Sequence, residues 1–327
     1  MTPCAIAQSP NTTPLVLNYL ERHDATERSS DPLLLGRIGF GTQGANHAEY
    51  SVPSIHISLP TVGDSLPYEV WKGRNTAHYG VYEGIQYAEN GEVLFGCITA
   101  LSKPLEVSTY ESYRDLIHLM RSIGYPHLIR AWNYFPRINE AENRLERYKL
   151  FCMGRHRAFE EAKFSFSQEL PAASAIGTET GALCIYFIAA RDQGKPIENT
   201  RQISAYRYPK RYGPRSPSFS RAMLLCEQSL FISGTASIKG HESLHANDIT
   251  MQCEETLKNL KNILQQAKAE RISYPAVWKV YLRQHDQHAL IYKALLSFLA
   301  DKDQLMILKG DICRKNLLIE IEGVLSL

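Results

Sequence analysis

Asp311-Ile312-Cys313-Arg314-Lys315-Asn316-Leu317-Leu318-Ile319-Glu320-Ile321-Glu322-Gly323-Val324 reads as a buried strand, with leucine and β-branched residues in alternation and a glycine stop. Glu320 and Glu322 stand two apart, so both carboxylates leave the same face of that strand. A carboxylate on an apolar strand is costly to ionise and tends to keep its proton, which is the preparation a general acid needs. An edge strand with a solvated acidic face is the alternative, and this stretch alone leaves both readings open.

Working back from this strand, a repeat becomes visible from about Tyr68. Its first copy has a strand at 92–97, a helix from about Thr109 to Ile123 and a strand at 127–134. Tyr148 to Phe151 reads as a further strand, followed by a long connection, Leu170 to Gly177, and a closing strand at 182–190. The second copy has a strand at 230–237, a helix capped by Asp248 and running to about Lys268, a strand at 276–282, and a helix at 288–300. It ends on 305–308 and the closing strand. Aligning the closing strands sets Tyr186 against Glu320 and Ile188 against Glu322, one apolar strand and one carboxylated. Strand and helix alternate without a fixed βαβ rhythm, so the expected class is α+β, with mixed β-sheets and helices packed on one side. The expected division is a loosely held arm over 1–30, rich in Ser, Thr, Pro and Asn, an N-terminal module over 31–195 and a C-terminal module over 196–327.

Composition narrows the function classes. The 327 residues carry a formal net charge of +2, so bulk charge implies no nucleic-acid partner. No apolar run approaches membrane-spanning length, and the N-terminus lacks the basic start and hydrophobic core of a signal peptide. Seven cysteines are scattered singly, with no CxxC, so neither a disulfide framework nor a zinc knuckle is expected. The chain is expected to be cytoplasmic.

Two motifs are decoys. Gly39-Phe-Gly41-Thr-Gln-Gly44 matches GxGxxG, but prolines and a strand-like alternation follow where a helix must open, so it reads as a turn. His241-Glu242-Ser-Leu-His245 matches HExxH, yet it is squeezed between a strand and the Asp248 cap and reads as a loop, so no metal is expected. Tyr206 to Arg221 interleaves basic and aromatic residues along a backbone stiffened by Pro209, Pro214 and Pro217. That stiffness suits a small anion, with Arg215 offering a planar fork and Tyr212 or Tyr208 a hydroxyl; a solvated connector is the alternative. Arg130, on a strand with Trp132 and Tyr134, and Arg155, in Gly154-Arg-His-Arg157, each require a partner, an anionic ligand or an internal ion pair.

With these residues in hand, the second module resembles the RidA/YjgF superfamily, through Phe231-Ile-Ser-Gly-Thr-Ala, Gln252 ahead of Thr256-Leu-Lys-Asn-Leu, and Ile319-Glu-Ile-Glu. More specifically, the chain from about Leu34 resembles the chorismatase family. The motifs are Arg130-Ala-Trp-Asn-Tyr-Phe-Pro-Arg-Ile-Asn139, Leu170-Pro-Ala-Ala-Ser-Ala-Ile-Gly177, Tyr212-Gly-Pro-Arg-Ser-Pro-Ser-Phe219, Ser233-Gly-Thr-Ala-Ser-Ile238 and Asp311-Ile-Cys-Arg314. The resemblance implies a fold of two RidA/YjgF-like modules and cofactor-free cleavage of chorismate with loss of its enolpyruvyl group as pyruvate. It implies Glu320 as the acid that protonates the enolpyruvyl methylene, and Arg130, Tyr134, Arg155, Tyr212 and Arg215 as residues holding the substrate's two carboxylates. Cys313 stands seven residues before Glu320, a position that resembles the hydroxybenzoate-forming branch, so 3-hydroxybenzoate is the expected product, with 4-hydroxybenzoate a second. For Cys313, a small buried hydrophobe is the alternative. Hydrolysis to a dihydroxycyclohexadiene carboxylate, a RidA-like imine deaminase and a non-catalytic sensor of an aromatic acid are the competing functions. RidA-type proteins assemble as trimers, and whether two modules in one chain make a monomer stays open.

Overall fold

The computed structural model describes residues 14–21, 31–42, 52–100, 103–269 and 276–327. Its first sheet holds β1 (Leu15–Leu20), β2 (Leu34–Phe40), β3 (Ser54–Ile57) and β4 (Tyr68–Gly73), in the order β1-β4-β2-β3. This corrects the expected arm where β1 lies. Leu15, Leu17 and Tyr19 alternate inward as a paired strand rather than belonging to a loose arm. Residues of β2 to β4 lie in a sheet distinct from the repeat sheet that follows them. The polar residues around β1 conceal an apolar alternation of only three side chains. In the GxGxxG segment, β2 carries Gly39 and Phe40, and Gly41 and Thr42 bend away; Gln43 and Gly44 lie outside the described residues.

The first repeat copy runs β5 (His78–Tyr82), β6 (Ile85–Glu89), β7 (Val93–Thr99), α1 (Leu105–Ser122) and β8 (His127–Pro136). A short hairpin, β9 (Ala141–Glu142) with β10 (Leu145–Glu146), leads into α2 (Arg147–Glu161), β11 (Ala172–Thr178) and β12 (Cys184–Ala190). Its strand order is β11-β8-β12-β7-β6-β5. Tyr148 to Phe151, expected as a strand, is the first turn of α2: Leu150, Phe151, Ala158 and Phe159 recur at helical spacing and are buried.

The second copy runs β13 (Lys195–Ile197), β14 (Ala222–Leu225), β15 (Ser229–Ala236) and a hairpin of β16 (Ile238–Lys239) with β17 (Glu242–Ser243). It continues through α3 (Ile249–Gln266), β18 (Val277–Leu282), α4 (His288–Leu295), β19 (Gln304–Lys309) and β20 (Ile319–Ser326). Asp248 caps α3 by accepting from the Met251 N–H at 3.0 Å. Its strand order, β13-β14-β15-β20-β18-β19, is that of the first copy read from the other edge. In both copies the pair farthest from the first strand is parallel (β8 with β11, β18 with β19) and the closing strand lies antiparallel at the centre. The duplication read from the residues is therefore a duplication of topology. Among the described residues no helix is long and apolar enough to cross a membrane.

Each repeat sheet packs its helices on its outer face, over two separate apolar cores. The inner faces of both repeat sheets meet the first sheet in a third core, where Leu17, Trp71, Phe95, Tyr186 and Tyr281 come together. The class is α+β, with mixed sheets and helices on one side of each, as expected. What the alternation of β20 sends inward is thus sent into the junction of three sheets.

Candidate active site

Ile319, Ile321 and Leu325 of β20 face the apolar core under α3, and Glu320 and Glu322 face inward from the same strand. Their surroundings differ sharply. Glu322 accepts from five donors: Arg130 Nη2 at 2.8 Å, Trp132 Nε1 at 2.9 Å, Lys279 Nζ at 2.8 Å, Tyr281 Oη at 3.1 Å and the Ser174 hydroxyl. Burial opposes its charge, but Lys279 and Arg130 outweigh that and hold the carboxyl below its ordinary value, so Glu322 is ionised. Glu320 makes no hydrogen bond among the described residues. Burial first, and the Glu322 charge second, push it up to about 8, against the opposing pull of Arg130 and Arg221. It is a carboxylic acid that holds its proton at neutral pH.

The seat of Glu320 is built by a bulge. The pairing of β15 with β20 shifts between Ile232 and Thr235, leaving Ser233 and Gly234 out of the ladder. A side chain at Gly234 would overlap Glu320 Oε1, so the carboxyl lies directly against bare backbone. Ser174 of β11 accepts from the Gly234 N–H at 2.9 Å while donating to Glu322, and so ties this seat to the ionised neighbour.

Glu320 opens into a cavity of about 300 Å³ lined in part by Gly234, Ala236, Ile238, Cys313 and Phe219. Apart from Glu146, Cys152 and Pro217, the rest of the wall is cationic and aromatic. The Tyr206 to Arg221 stretch, folded into two short 3-10 turns, contributes Tyr208, Arg211, Tyr212, Arg215 and Arg221; α2 contributes Tyr148, Lys149 and Cys152; Arg314 and Lys315 precede β20. Arg221 is buried, donates to Ile203 O at 2.9 Å and Tyr208 Oη at 2.8 Å, and leaves its Nε–H without a partner. Arg314 stacks on Tyr212, 4.2 Å from the ring centre, and bonds His241 O and Ser243 Oγ. The HExxH segment is a hairpin at this rim, where His241 Nδ1 lies 3.0 Å from Arg211 Nη2 and 3.2 Å from Tyr212 Oη. Six cationic side chains around one protonated acid make a pocket for a small polyanion that is to receive a proton.

A 3-hydroxybenzoate synthase from Streptomyces hygroscopicus is 33% identical over 96% of this chain and 99% of its own length. The chain belongs to the chorismatase family. A chorismatase from Streptomyces rapamycinicus is 32% identical over 96% of this chain and all of its own. A chorismatase crystal structure superposes with a TM-score of 0.87 at 31% identity, covering 97% of this chain and 100% of the other. The family model "Chorismatase FkbO/Hyg5-like, N-terminal" matches residues 69–189.

Within this chorismatase-family chain, Glu320, Cys313, Tyr212 and Arg215 line one cavity. Burial and the neighbouring Glu320 push the Cys313 thiol up to about 12, so it is an uncharged S–H in the wall. Three expected substrate contacts lie elsewhere. Arg130 is turned to the junction of the sheets, paired with Glu322 and stacked over Trp132. Tyr134, two residues beyond Trp132 and so on the same face of β8, bonds Tyr281 Oη at 2.7 Å. Arg155 sits one turn beyond Cys152 on α2, buried over Phe151 with Nε and Nη1 unpartnered, behind the wall and not in it. The residues overlooked in the sequence are Arg221 and Arg314. Arg221 ends the basic and aromatic stretch, and Arg314 stands inside the closing motif; each was visible as a residue but not as a cavity wall.

Proposed function

We propose that this protein cleaves chorismate to pyruvate and 3-hydroxybenzoate, with 4-hydroxybenzoate as a minor product, and that Glu320 is the proton donor. The supporting observation is the protonated Glu320 carboxyl at the inner end of a cation-lined cavity. Chorismate carries two carboxylates and an enol ether. Protonating the terminal methylene turns the enol ether into an oxocarbenium centre and leaves Glu320 as a carboxylate. The bond between the ring and the ether oxygen then breaks and pyruvate leaves with that oxygen. The adjacent ring hydroxyl oxygen bonds to the vacated carbon for the 3-isomer or stays in place for the 4-isomer, and the proton lost on aromatisation returns to Glu320. Chorismate equals pyruvate plus hydroxybenzoate in atoms, so no water is consumed. The likeness to a 3-hydroxybenzoate synthase at 33% identity, with Cys313 uncharged in the cavity wall, supports the aromatic product over hydrolysis.

Arg221 is assigned to the enolpyruvyl carboxylate, because of the arginines lining the cavity it is the buried one with a free Nε–H and acts on Glu320. Arg215 and Tyr212, nearer the rim, serve the ring carboxylate; Arg215 is about half exposed and holds Glu160 only loosely, at 3.7 Å. Arg221→Ala is expected to reduce kcat/KM by about 10²-fold and Arg215→Ala by about 10-fold, in steady-state kinetics. Equal, small effects would remove the distinction between the two sites.

The deciding experiment incubates the protein with chorismate, separates the products by chromatography and assays pyruvate. Pyruvate equimolar with hydroxybenzoate is expected. Pyruvate with a non-aromatic diene diol would overturn the product assignment, and absence of pyruvate would overturn the reaction.

A further inference from the structure

Behind Glu320 lies a buried cluster whose charges come from all three sheets. Glu69 of β4, Arg130 of β8, Lys279 of β18 and Glu322 of β20 are each almost wholly excluded from solvent. Lys279 is ion-paired to Glu69 and, at 2.8 Å, to Glu322; Arg130 approaches Glu322 from the other side at 2.8 Å. The registers make the two cations counterparts, since Arg130 pairs with Ile188 where Lys279 pairs with Glu322. One carboxylate of the second copy is thus gripped by the equivalent positions of both copies. Glu69 belongs to neither copy: the separate first sheet supplies it, with Trp71 Nε1 and Tyr186 Oη donating to its Oε2 at 3.1 and 3.0 Å.

Four buried charges are expensive, and well-packed apolar groups of equal volume would stabilise as well or better. The cluster is electrically neutral only because Glu69 is in it. Without Glu69, two cations would face Glu322 alone, and the excess positive charge would sit two residues along β20 from Glu320. We propose that Glu69 and Lys279 are positioning residues for the proton on Glu320: Glu69 shares the Lys279 ammonium with Glu322, so that Glu322 still presents negative charge to the acid. This rests on the reading of Glu320 as the proton donor.

The other groups facing the cluster carry no compensating charge. The hydroxyls of Tyr134, Tyr186 and Tyr281, and that of Tyr19 from β1, are all held above their ordinary value by burial and stay neutral. Burial works against the charge on Lys279, but Glu322 and Glu69 overcome it and keep the ammonium protonated. On the cavity side, Glu320 meets Arg221 and the neutral Cys313.

The test follows the Glu320 proton directly, through the infrared absorption of its protonated carboxyl, identified as the band missing in Glu320→Gln. In Glu69→Gln, which keeps the shape and an acceptor for Trp71, this band is expected to titrate about one pH unit lower than in the wild type, and the alkaline fall of kcat is expected to move with it. Lys279→Met is expected to move both upward, and Glu69→Gln/Lys279→Met to return them to the wild-type position. An unmoved band in folded Glu69→Gln would overturn the inference, as would a double variant that keeps the single variant's shift. Where Glu69→Gln fails to fold, Lys279→Met decides: an upward move of the band supports the charge balance, and an unmoved or lowered one overturns it. The band needs no substrate, so a protein that released no pyruvate would refute the reaction and leave this titration readable.

Discussion

Glu320→Gln is expected to lower turnover of chorismate by about 10³-fold or more and to leave the fold intact. The amide has the shape of the protonated carboxyl but no proton acidic enough to deliver to a methylene carbon. Wild-type rates would remove Glu320 from the mechanism. The wild-type rate is expected to be flat through neutrality and to fall as pH rises through about 8, where Glu320 loses its proton. The same shift has a consequence for stability. An unfolded glutamate releases its proton near pH 4.3, whereas the folded chain retains this one to about 8. What Glu320 contributes to stability is therefore complete below about pH 4 and is progressively lost as pH rises toward about 8. A glutamine at this position carries no such penalty. The inactive variant is expected to be the more stable one at pH 7, by at most about 4 kcal/mol, with the difference vanishing toward pH 4. Thermal melts across that range measure it, and a variant equally or less stable at pH 7 would refute the raised value.

Gly234→Ala is expected to reduce kcat by about 10²-fold, with a smaller change in KM. Gly234 does not have a positive φ, so alanine meets no backbone strain there. What the added methyl meets is Glu320 Oε1, and the carboxyl is the group that yields. Displacing a proton donor by about 1 Å costs reaction geometry far more than it costs binding. Steady-state kinetics beside a circular dichroism spectrum separate this from misfolding. A folded variant with wild-type kcat would show that the bulge does not seat the acid.

The sequence by itself determined the direction of both carboxylates, because an alternating strand leaves only one face for positions 320 and 322. It also carried the duplication, the Asp248 cap and the composition of the loop that became the cationic wall, since each is a local pattern. The strand pattern did not separate Glu320 from Glu322; only the family resemblance pointed to Glu320, without its physical reason. That difference lies in Arg130, Trp132 and Ser174, which reach Glu322 across 148 to 192 residues of chain, and in the bulge that bares Gly234. Three side chains of β1 were too few to stand out from a polar segment, and Tyr148 to Phe151 was too short an apolar run to tell strand from helix. Periodicity reports which side of an element is buried; only the packing of three sheets decided which buried carboxylate found donors and which was left with its proton.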